Sequence, residues 1–384
     1  MKLAIMESIT TPGGHEVDFD RILVEEIQAL GHEAVFYVPE NFVFKYDYGV
    51  PVRYLPGEGV SYTGLKGIGK MLFSVKREWN RQRWFRALAA LAGRGEFDAV
   101  IIPTSTYRYL RALNINSLKH SPVPVIFIVH GINPNEAPRF FKAVEKLRDY
   151  PNVKAAVLTF GDALFGHKFP NVYCINPPAY TPRDIDFQPA SFSGVLDQGR
   201  PLRLGFFGQY RREKQLDTFL DVFLTGQYKR PIQLQVQGAT MNPDDSADFE
   251  RIIKKYSGHP HIRFLHKGLI GKEWQTAIAG IDALLMPYSA SRYRYHWAGM
   301  LFTAIGYQKP VVLSSEINPE VLAKYEIGVS FSGGDNHSLK EAIENFVNTF
   351  DDKAALYTRE LDRAAADYSS GKFAKTLLQL VGRC

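Results

Sequence analysis

The chain has 384 residues, of which 45% are hydrophobic and 22% charged, proportions typical of globular domains and unlike those of disordered proteins. This length is enough for about two domains, each with its own core, and the net charge of +6 is modest. No apolar run approaches the roughly 18 residues that a membrane-spanning helix needs, so the composition excludes an integral membrane protein of the helical kind.

The cysteines and the N-terminal residues indicate the compartment. Cys174 and Cys384 are far apart and lack metal-ligand spacing, which indicates a buried thiol and a terminal thiol in a reducing environment. The opening residues MKLAIMES have only a few apolar residues, fewer than a signal peptide needs, and no cleavage signature, so we interpret them as a first strand and not as a signal peptide. These features predict a cytoplasmic protein.

The first half of the chain alternates short apolar runs with helical segments. Residues 3–6 predict a strand, the next turn contains Gly13, Gly14 and His15, and a helix with apolar residues at helical spacing runs to about Leu30. Adjacent glycines let the backbone approach a substrate or a phosphate closely, although a plain strand-to-helix turn has the same composition. Further strands are predicted at 34–38, 99–102, 123–129, 155–160 and 172–175.

Polar residues lie at two places in this half where α/β folds carry chemistry. His130 follows the strand 123–129 at its carboxyl end. This position suits a histidine that faces a ligand, and it equally suits a hydrogen-bonded histidine of the core. Glu16, Asp18 and Asp20 follow the glycine pair, and one of them is a candidate general base. Acidic residues in a first helical turn are also favoured by the helix dipole, so we interpret them as helix-start residues.

The segment 66–94 combines positive charge with aromatic side chains. Such a combination suits an anionic membrane surface, and the alternative is an amphipathic helix whose aromatic residues belong to the core. Nucleic-acid binding is disfavoured because nothing else in the chain matches a known module. The basic residues are Lys66, Lys70, Lys76, Arg77, Arg81, Arg83, Arg86 and Arg94, interleaved with Met71, Leu72, Phe73, Trp79, Trp84 and Phe85.

The second half repeats the alternation after a polar, proline-containing linker predicted at 181–200. Strands are predicted at 202–207, 232–236, 262–265 and 283–286, with helices between them. Alternating strands and helices in two halves predict an α/β protein with two doubly wound, Rossmann-like domains facing a cleft.

A cluster of cations follows the first strand of the second half. Gly208 follows that strand, and Arg211, Arg212 and Lys214 come just before an amphipathic helix. Cations are slightly unfavourable at a helix start because of the dipole. Three of them in four positions therefore indicate an anion site rather than an exposed basic turn.

Residues 282–316 form the most informative stretch. An apolar strand ends at Pro287, a loop contains Arg292, Arg294 and Tyr295, and a helix starts with small residues before the next strand at 311–313. Loops at the carboxyl edge of a parallel sheet are the usual ligand crevice. Free amides at such a helix start attract phosphate, so Ala298, Gly299 and Met300 are candidate ligands. The arginines suit phosphate recognition or solvent exposure equally.

Three of these segments together resemble GT-B glycosyltransferases, especially the retaining family-4 type. The Gly-Gly-His turn with the later Gly-His-Glu-Ala is similar to the N-terminal pattern of that family. Residues 208–215 resemble its phosphate loop, with Lys214 at the position of the lysine and Gln209 at that of the arginine. Residues 303–312, TAIGYQKPVV, resemble its donor-binding helix and following strand. The two family glutamates, eight positions apart, correspond to Tyr295 and Thr303.

The resemblance implies a fold, an activity and a set of site residues. It implies a first domain at 1–180 on the acceptor side, a donor domain at 201–365, and a final helix at 366–384 packed back on the first domain. It implies transfer of a sugar from a UDP- or GDP-type donor with retention, without metal or other cofactor, to an acceptor such as a lipid-linked or polysaccharide precursor of the cell envelope. The site residues implied are His130 as catalytic; Gly208, Arg211 or Arg212, Lys214, Ala298, Gly299 and Met300 for the diphosphate; Arg292, Arg294, Tyr295 and Thr303 for donor or ribose contacts; and Gly13, Gly14 and His15 on the acceptor or phosphate side.

Two other interpretations remain open. A GT-B sugar-nucleotide epimerase would use the same cleft, and its product would form without an acceptor. A non-catalytic partner subunit with a degenerate donor site would explain Tyr295 and Thr303 and would bind nucleotide weakly. With a lipid-linked acceptor, the segment 66–94 predicts a peripheral location at the inner face of the membrane.

Overall fold

The computed structural model describes residues 1–9, 15–59, 67–158, 169–187 and 200–382. It divides into two compact units, Met1–Pro177 with Ser370–Cys384, and Pro178–Ser369. The glycine pair Gly13–Gly14, Lys66 and most of the predicted linker lie outside the described residues. The prediction divided the chain at 180 and 366, and the units divide it at 177 and 370.

The first unit is built on a parallel sheet of seven strands in the order β3-β2-β1-β4-β5-β6-β7. The central strands are almost entirely buried, as expected for a parallel sheet that helices cover on both faces. Neighbouring strands β1 and β4 are far apart in the chain, so the order of the sheet reverses between them. The strands are β1 (Lys2–Met6), β2 (Glu33–Pro39), β3 (Val52–Leu55), β4 (Ala99–Ser105), β5 (Val125–Val129), β6 (Val153–Val157) and β7 (Val172–Cys174).

The helices of this unit include the final helix of the chain. That helix packs on the first one through Phe373, whose ring lies 5.7 Å from the ring of Phe19. The buried Lys154 donates a hydrogen bond to the carbonyl oxygen of Leu380 at 2.5 Å. The C-terminal helix is therefore part of the first unit. The helices are α1 (His15–Ala29), α2 (Gly67–Gly93), α3 (Tyr107–Leu113), α4 (Ala137–Glu145) and α12 (Ser370–Val381).

The second unit has a parallel sheet of six strands in the order β10-β9-β8-β11-β12-β13. Its order reverses between β8 and β11, and ligands of open parallel sheets bind outside the carboxyl ends of strands at such a point. The strands are β8 (Leu202–Phe206), β9 (Ile232–Gln237), β10 (Ile262–Leu265), β11 (Ala283–Met286), β12 (Val311–Ser314) and β13 (Gly328–Phe331), and the helices are α5 (Leu216–Leu224), α6 (Pro243–Tyr256), α7 (Gly271–Ala279), α8 (Gly299–Gly306), α9 (Pro319–Lys324), α10 (Asn336–Asn348) and α11 (Phe350–Asp367).

The glycine that ends α8 is required by close packing. A Cβ atom at Gly306 would lie 1.9 Å from the carbonyl oxygen of Tyr180, well inside van der Waals contact. The chain at Tyr180 runs against this helix, and its amide donates to the carbonyl of Phe302. The Gly-x-x-Lys-Pro pattern of the sequence thus marks the place where the start of the second unit crosses α8.

The predicted class, two doubly wound parallel α/β domains, is confirmed. Two predictions about details are wrong. The sequence predicted no strand at β3 or β13, and Cys174, predicted to be buried, is exposed because it ends the edge strand β7. In the part of the chain that the structure describes, no helix is long and apolar enough to cross a membrane.

Candidate functional site

The loop after β8 brings its glycine next to a lysine and a helix start. Gly208 has a φ of 104°, which glycine adopts at little cost. A Cβ atom placed on it would lie 3.9 Å from Nζ of Lys214 and 3.5 Å from Sδ of Met300 at the start of α8. Three residues predicted for the diphosphate site therefore converge at the carboxyl edge of the second sheet. They meet where the order of the sheet reverses.

The backbone amide of Gly208 is already engaged. It donates to Oε1 of Gln237 at 2.9 Å, and Nε2 of Gln237 donates to the carbonyl of Lys267 at 2.5 Å. The side chain of Gln237 is buried and joins the loops after β8, β9 and β10. The amide of Gly208 is therefore not available to a ligand. The glycine instead lets a ligand come close to the backbone, because it has no side chain. Sequence reasoning missed Gln237 because a glutamine ending a strand carries no motif.

Lys214 is buried without a carboxylate partner in the described residues. It is 6% exposed, and its ammonium lies 4.7 Å from the ring centre of Tyr288 and 5.4 Å from that of Phe206. Burial, and then the charges of Arg211 and Arg292, lower the pKa of Lys214 to about 7. A buried cation flanked by two more cations is unfavourable in the free protein. An anionic ligand would relieve that penalty.

The start of α8 adds uncapped backbone donors. The N-cap residue, Ala298, has no side-chain oxygen that could accept from the first amides of this helix, which belong to Gly299 and Met300. The amide of Leu301 is already bonded to the carbonyl of Ala298 at 2.8 Å. Amides at the first turn of a helix carry partial positive charge and suit a phosphate oxygen. Together with Lys214 they form what we call the phosphate cradle, defined by Gly208, Lys214, Gly299 and Met300.

The structure separates the two arginines that the sequence left as alternatives. Arg212 turns toward α6, where it donates to the carbonyl of Asp244 at 3.0 Å and lies 4.0 Å from the carboxylate of Asp248. The charge of Arg211, in contrast, acts on Lys214. Arg211 is therefore the better candidate for a diphosphate contact.

The loop between β11 and α8 places the remaining predicted residues differently. Arg292 donates to the carboxylate of Glu213 and to the hydroxyl of Tyr293, whereas Arg294 is exposed. Tyr295 is half-buried at the end of a short 3-10 turn. Thr303 is 3% exposed, and its hydroxyl donates to the carbonyl of Gly299 at 2.9 Å within the same helix. The polar group of Thr303 is thus occupied inside the protein.

A buried asparagine holds the α8 start in place. Asn318 accepts a hydrogen bond from the amide of Ala298 at 3.0 Å and donates to the carbonyl of His296 at 3.2 Å. Its backbone has a φ of 35°, in the left-handed region that asparagine tolerates better than most residues. Backbone strain at such a position is typical of functional sites. Asn318 lies 20 positions from Ala298 in the chain, so no local pattern could have predicted this contact.

We expect Asn318→Ala to destabilise the protein by roughly 2–4 kcal/mol, because it removes two buried hydrogen bonds and places a Cβ-bearing residue without local hydrogen bonding in the left-handed region. Asn318→Gly also removes the side-chain hydrogen bonds, but glycine adopts the left-handed conformation without strain, so this variant should lose less stability. Urea unfolding of the two variants measures the difference. An alanine variant as stable as the wild type would show that Asn318 does not hold the loop.

His130 and the glycine turn belong to the first unit. His130 is half-buried after β5, with Nε2 at 2.9 Å from the carbonyl oxygen of Pro103 and its ring 4.9 Å from that of Phe19. One ring nitrogen is thus used within the fold. His15 is the first residue of α1, and Gly13 and Gly14 lie outside the described residues.

The same unit contains a pair of buried acids that sequence reasoning did not assign to the core. Glu7 follows β1 and is 0% exposed, and Asp20 in α1 is 1% exposed. Oε2 of Glu7 and both carboxylate oxygens of Asp20 have no hydrogen-bond partner among the described residues. Burial raises the pKa of Glu7 to about 8 and raises that of Asp20 well above its ordinary value, with the neighbouring carboxyls adding to both shifts. Asp20 is therefore not an ordinary exposed helix-start residue.

No protein-family profile and no curated protein sequence matches the chain. Solved structures do match over the full length. HepE from Anabaena, solved in complex with UDP, superposes with a TM-score of 0.67 at 14% identity and 100% coverage of both chains. The catalytic domain of starch synthase IV from Arabidopsis thaliana, bound to ADP and acarbose, gives 0.68 at 13% identity, covering 100% of this chain and 99% of that one. The glycosyltransferase WaaG, involved in lipopolysaccharide biosynthesis, gives 0.62 at 15% identity and 99% coverage of both chains.

These structures are GT-B glycosyltransferases. The chain has the GT-B fold. Both sheets of this GT-B chain are parallel throughout, and the phosphate cradle lies at the reversal point of the second sheet, where the fold offers a ligand crevice. In the described part of the chain, no group of three or more His, Cys, Asp or Glu side chains is arranged to hold a metal ion.

Proposed function

We propose that the protein is a glycosyltransferase that moves a sugar from a nucleoside diphosphate sugar to an acceptor. The observation that carries this proposal is Lys214, a buried amine that has no carboxylate partner among the described residues and lies near Gly208 and the start of α8. A fixed cation and helix-start amides can stabilise the charge that develops on a leaving diphosphate. Structural relatives solved with UDP and with ADP support the same ligand class.

We further propose that the reaction is metal-independent and retains configuration. Lys214, Arg211 and Arg292 supply the positive charge that a divalent cation would otherwise bring to a diphosphate. Retention follows from the resemblance of residues 303–312 to the retaining family-4 type. The donor is of the UDP or GDP kind, and we place its diphosphate in the phosphate cradle of the second unit.

The experiment that tests this proposal is a thermal-shift screen with UDP, GDP, ADP, their sugars and the corresponding nucleosides. A ligand that binds the folded protein at 100 times its Kd stabilises it by about 2.7 kcal/mol. Stabilisation by at least one diphosphate and its sugar, and by no nucleoside alone, is expected. Equal stabilisation by the nucleosides would place recognition outside the phosphate cradle.

One observation favours a second candidate, a non-catalytic partner subunit. The family positions that hold glutamates carry Tyr295 and Thr303, and the hydroxyl of Thr303 is bonded to its own helix. Such a subunit would bind nucleotide weakly and would show no turnover of the sugar nucleotide. An epimerase would instead convert the sugar nucleotide without any acceptor.

The exposed half of α2 suggests the nature of the acceptor. Five large apolar side chains along three helical turns are 39–63% exposed, which is costly in water and indicates a covering partner. The second half of the helix is packed in the core. We call the exposed set the α2 surface; it consists of Met71, Leu72, Phe73, Val75 and Trp79.

The structure corrects the composition of the segment 66–94. Trp84 and Phe85, predicted to be available to a membrane, are 2% and 0% exposed and belong to the core of the first unit. Arg81 is 4% exposed because it pairs with Glu78 and stacks over the ring of Tyr109 at 4.2 Å. Among the described side chains of α2, the basic residues that remain exposed or half-exposed are Lys76, Arg77, Arg83 and Arg86.

We propose that the α2 surface docks on an anionic bilayer, and that the acceptor is lipid-linked. Apolar and aromatic side chains would enter the interface while the flanking cations meet anionic headgroups, each cation contributing about 1 kcal/mol near the surface. A protein that uses cytoplasmic nucleotide sugars would act from the inner face of the membrane, in cell-envelope synthesis.

We expect the wild type to sediment with anionic vesicles at low salt, and less at high salt because Coulombic attraction is screened. Leu72→Ser with Trp79→Ser should remove the part of the binding that resists salt. Ile115→Ser, another exposed apolar position at 80% exposure, is the matched control and should bind like the wild type. A wild type that stays in solution with anionic vesicles at low salt would contradict the membrane proposal.

A further inference from the structure

A carboxylate already lies between the arginines beside the phosphate cradle. Glu213 immediately precedes Lys214, and its Oε1 accepts a hydrogen bond from Nη2 of Arg292. The same oxygen lies 3.7 Å from Nη1 of Arg211. Glu213 is 43% exposed and belongs to the 3-10 turn Arg212–Lys214. Its hydrogen bond with Arg292 joins residues that are 79 positions apart in the chain.

The position of this carboxylate matches that of an anionic ligand. Guanidinium groups bind carboxylate and phosphate oxygens with the same fork geometry. The two arginines that act on Lys214 are the two that contact Glu213. A diphosphate that approaches Lys214 would therefore meet two arginines that already lie beside a carboxylate, Arg292 through a hydrogen bond and Arg211 at 3.7 Å.

Glu213 does not neutralise Lys214 itself. No ion pair joins the two in the described structure, and the lysine pKa stays low despite the nearby acid. The arrangement thus compensates the arginines and leaves the lysine unpaired. A ligand with at least two anionic oxygens would engage Lys214 and displace Glu213 from the arginines.

We propose that Glu213 is an internal anion that occupies the arginine pair in the free enzyme and competes with the diphosphate. The inference rests on the proposed function and deepens it. Competition weakens binding of the donor and of the product diphosphate alike, and it speeds release of the product, a step that limits turnover in many enzymes. Glu213 is a positioning residue, because it acts on the ligand through Arg211 and Arg292.

The test is titration calorimetry of UDP and of inorganic pyrophosphate into the wild type and Glu213→Gln. The glutamine keeps the shape and removes the charge. Both ligands should bind about three- to tenfold more tightly to the variant, the size expected for one charge in a half-exposed site. Binding to the variant should also fall more steeply with salt, because its arginines carry uncompensated charge. Glu326→Gln, a 54% exposed acid paired with Lys353 at 3.1 Å, is the matched control and should bind like the wild type.

The outcomes separate this inference from the proposed function. Equal or weaker binding by Glu213→Gln, with the wild type still binding UDP, overturns the role of Glu213 and leaves the proposed function standing. Absence of binding of either ligand to both proteins, with unchanged circular dichroism and no stabilisation of the wild type by GDP or ADP in the thermal-shift screen, overturns the proposed function and the inference with it.

Discussion

Lys214→Met is expected to lose about 30- to 1,000-fold in affinity for the nucleoside diphosphate while the free protein becomes more stable. The affinity loss corresponds to about 2–4 kcal/mol for a buried charged partner of an anionic ligand. Methionine fills a similar volume between Phe206 and Tyr288 without a charge to desolvate. The variant thus separates binding from folding.

The gain in stability has a defined pH dependence. The pKa of Lys214 falls from an ordinary 10.5 to about 7 in the folded protein, so the unfolded chain binds the proton more tightly. The wild type should therefore lose stability as pH falls from about 10 to 7, at about 1.4 kcal/mol per pH unit from this group at most. Lys214→Met should lack that loss. Urea unfolding at several pH values measures it.

Proton uptake on binding provides a further measurement. A diphosphate beside Lys214 raises its pKa again, so binding near pH 7.5 should draw a proton from the buffer. Titrations in Hepes and in Tris, which differ in ionisation enthalpy, should give different heats for the wild type and equal heats for Lys214→Met. Lys254→Met, which changes an exposed lysine of α6, is the matched control. Buffer-independent heats for the wild type would contradict a neutral or half-charged Lys214.

Removing the buried acids of the first unit is expected to raise stability at alkaline pH. Burial raises the pKa of Glu7 from 4.5 to about 8 even though its Oε1 accepts hydrogen bonds from the amides of Ser8 and Ile9 at 2.5 and 2.6 Å. The folded state therefore holds this proton more tightly than the unfolded chain does. The contribution of Glu7 to the free energy of unfolding is therefore highest below about pH 4.5 and falls as the pH rises toward 8. Asp20 shifts in the same direction.

Glu7→Gln and Asp20→Asn should flatten the alkaline part of the stability curve. At pH 8 to 9 each variant should unfold at a higher urea concentration than the wild type. Its free energy of unfolding should be higher by on the order of 1–3 kcal/mol. Glu33→Gln, an exposed acid at the start of β2, should follow the wild-type curve. A difference in unfolding free energy between Glu7→Gln and the wild type that stays constant from pH 5 to 9 would show that the pair is not buried in the folded protein.

Much of the fold follows from periodicity in the sequence. The central strands are short, continuous apolar runs because helices cover both faces of each sheet, and such runs are visible without any structure. The strands β3 and β13 were missed because they lie at sheet edges, where most of their side chains are exposed or half-exposed and no apolar run exists. The exposed half of α2 was misjudged for a related reason: helical spacing alone could not show which of Trp79, Trp84 and Phe85 face the core.

The residues of the candidate site that belong to local sequence patterns could be predicted from the sequence. Gly208, Lys214 and Met300 each lie where a strand meets a helix, and that pattern is readable in the chain. The choice of Arg211 over Arg212 and the contacts of Gln237 and Asn318 depend on partners that are distant in sequence. The burial of Glu7 was not predicted, because a carboxylate that follows a strand is usually exposed and only the surrounding structure shows otherwise.

The central claim, transfer of a sugar from a nucleotide donor bound at Lys214, is tested most directly by ³¹P NMR of the sugar nucleotide that best stabilises the protein. We predict that the wild type, supplied with a lipid extract in anionic vesicles, converts the donor signals into those of the nucleoside diphosphate, and that Lys214→Met does so at least tenfold more slowly. Conversion to an isomeric sugar nucleotide without any extract, or nucleoside diphosphate release at equal rates by both proteins, would contradict the account.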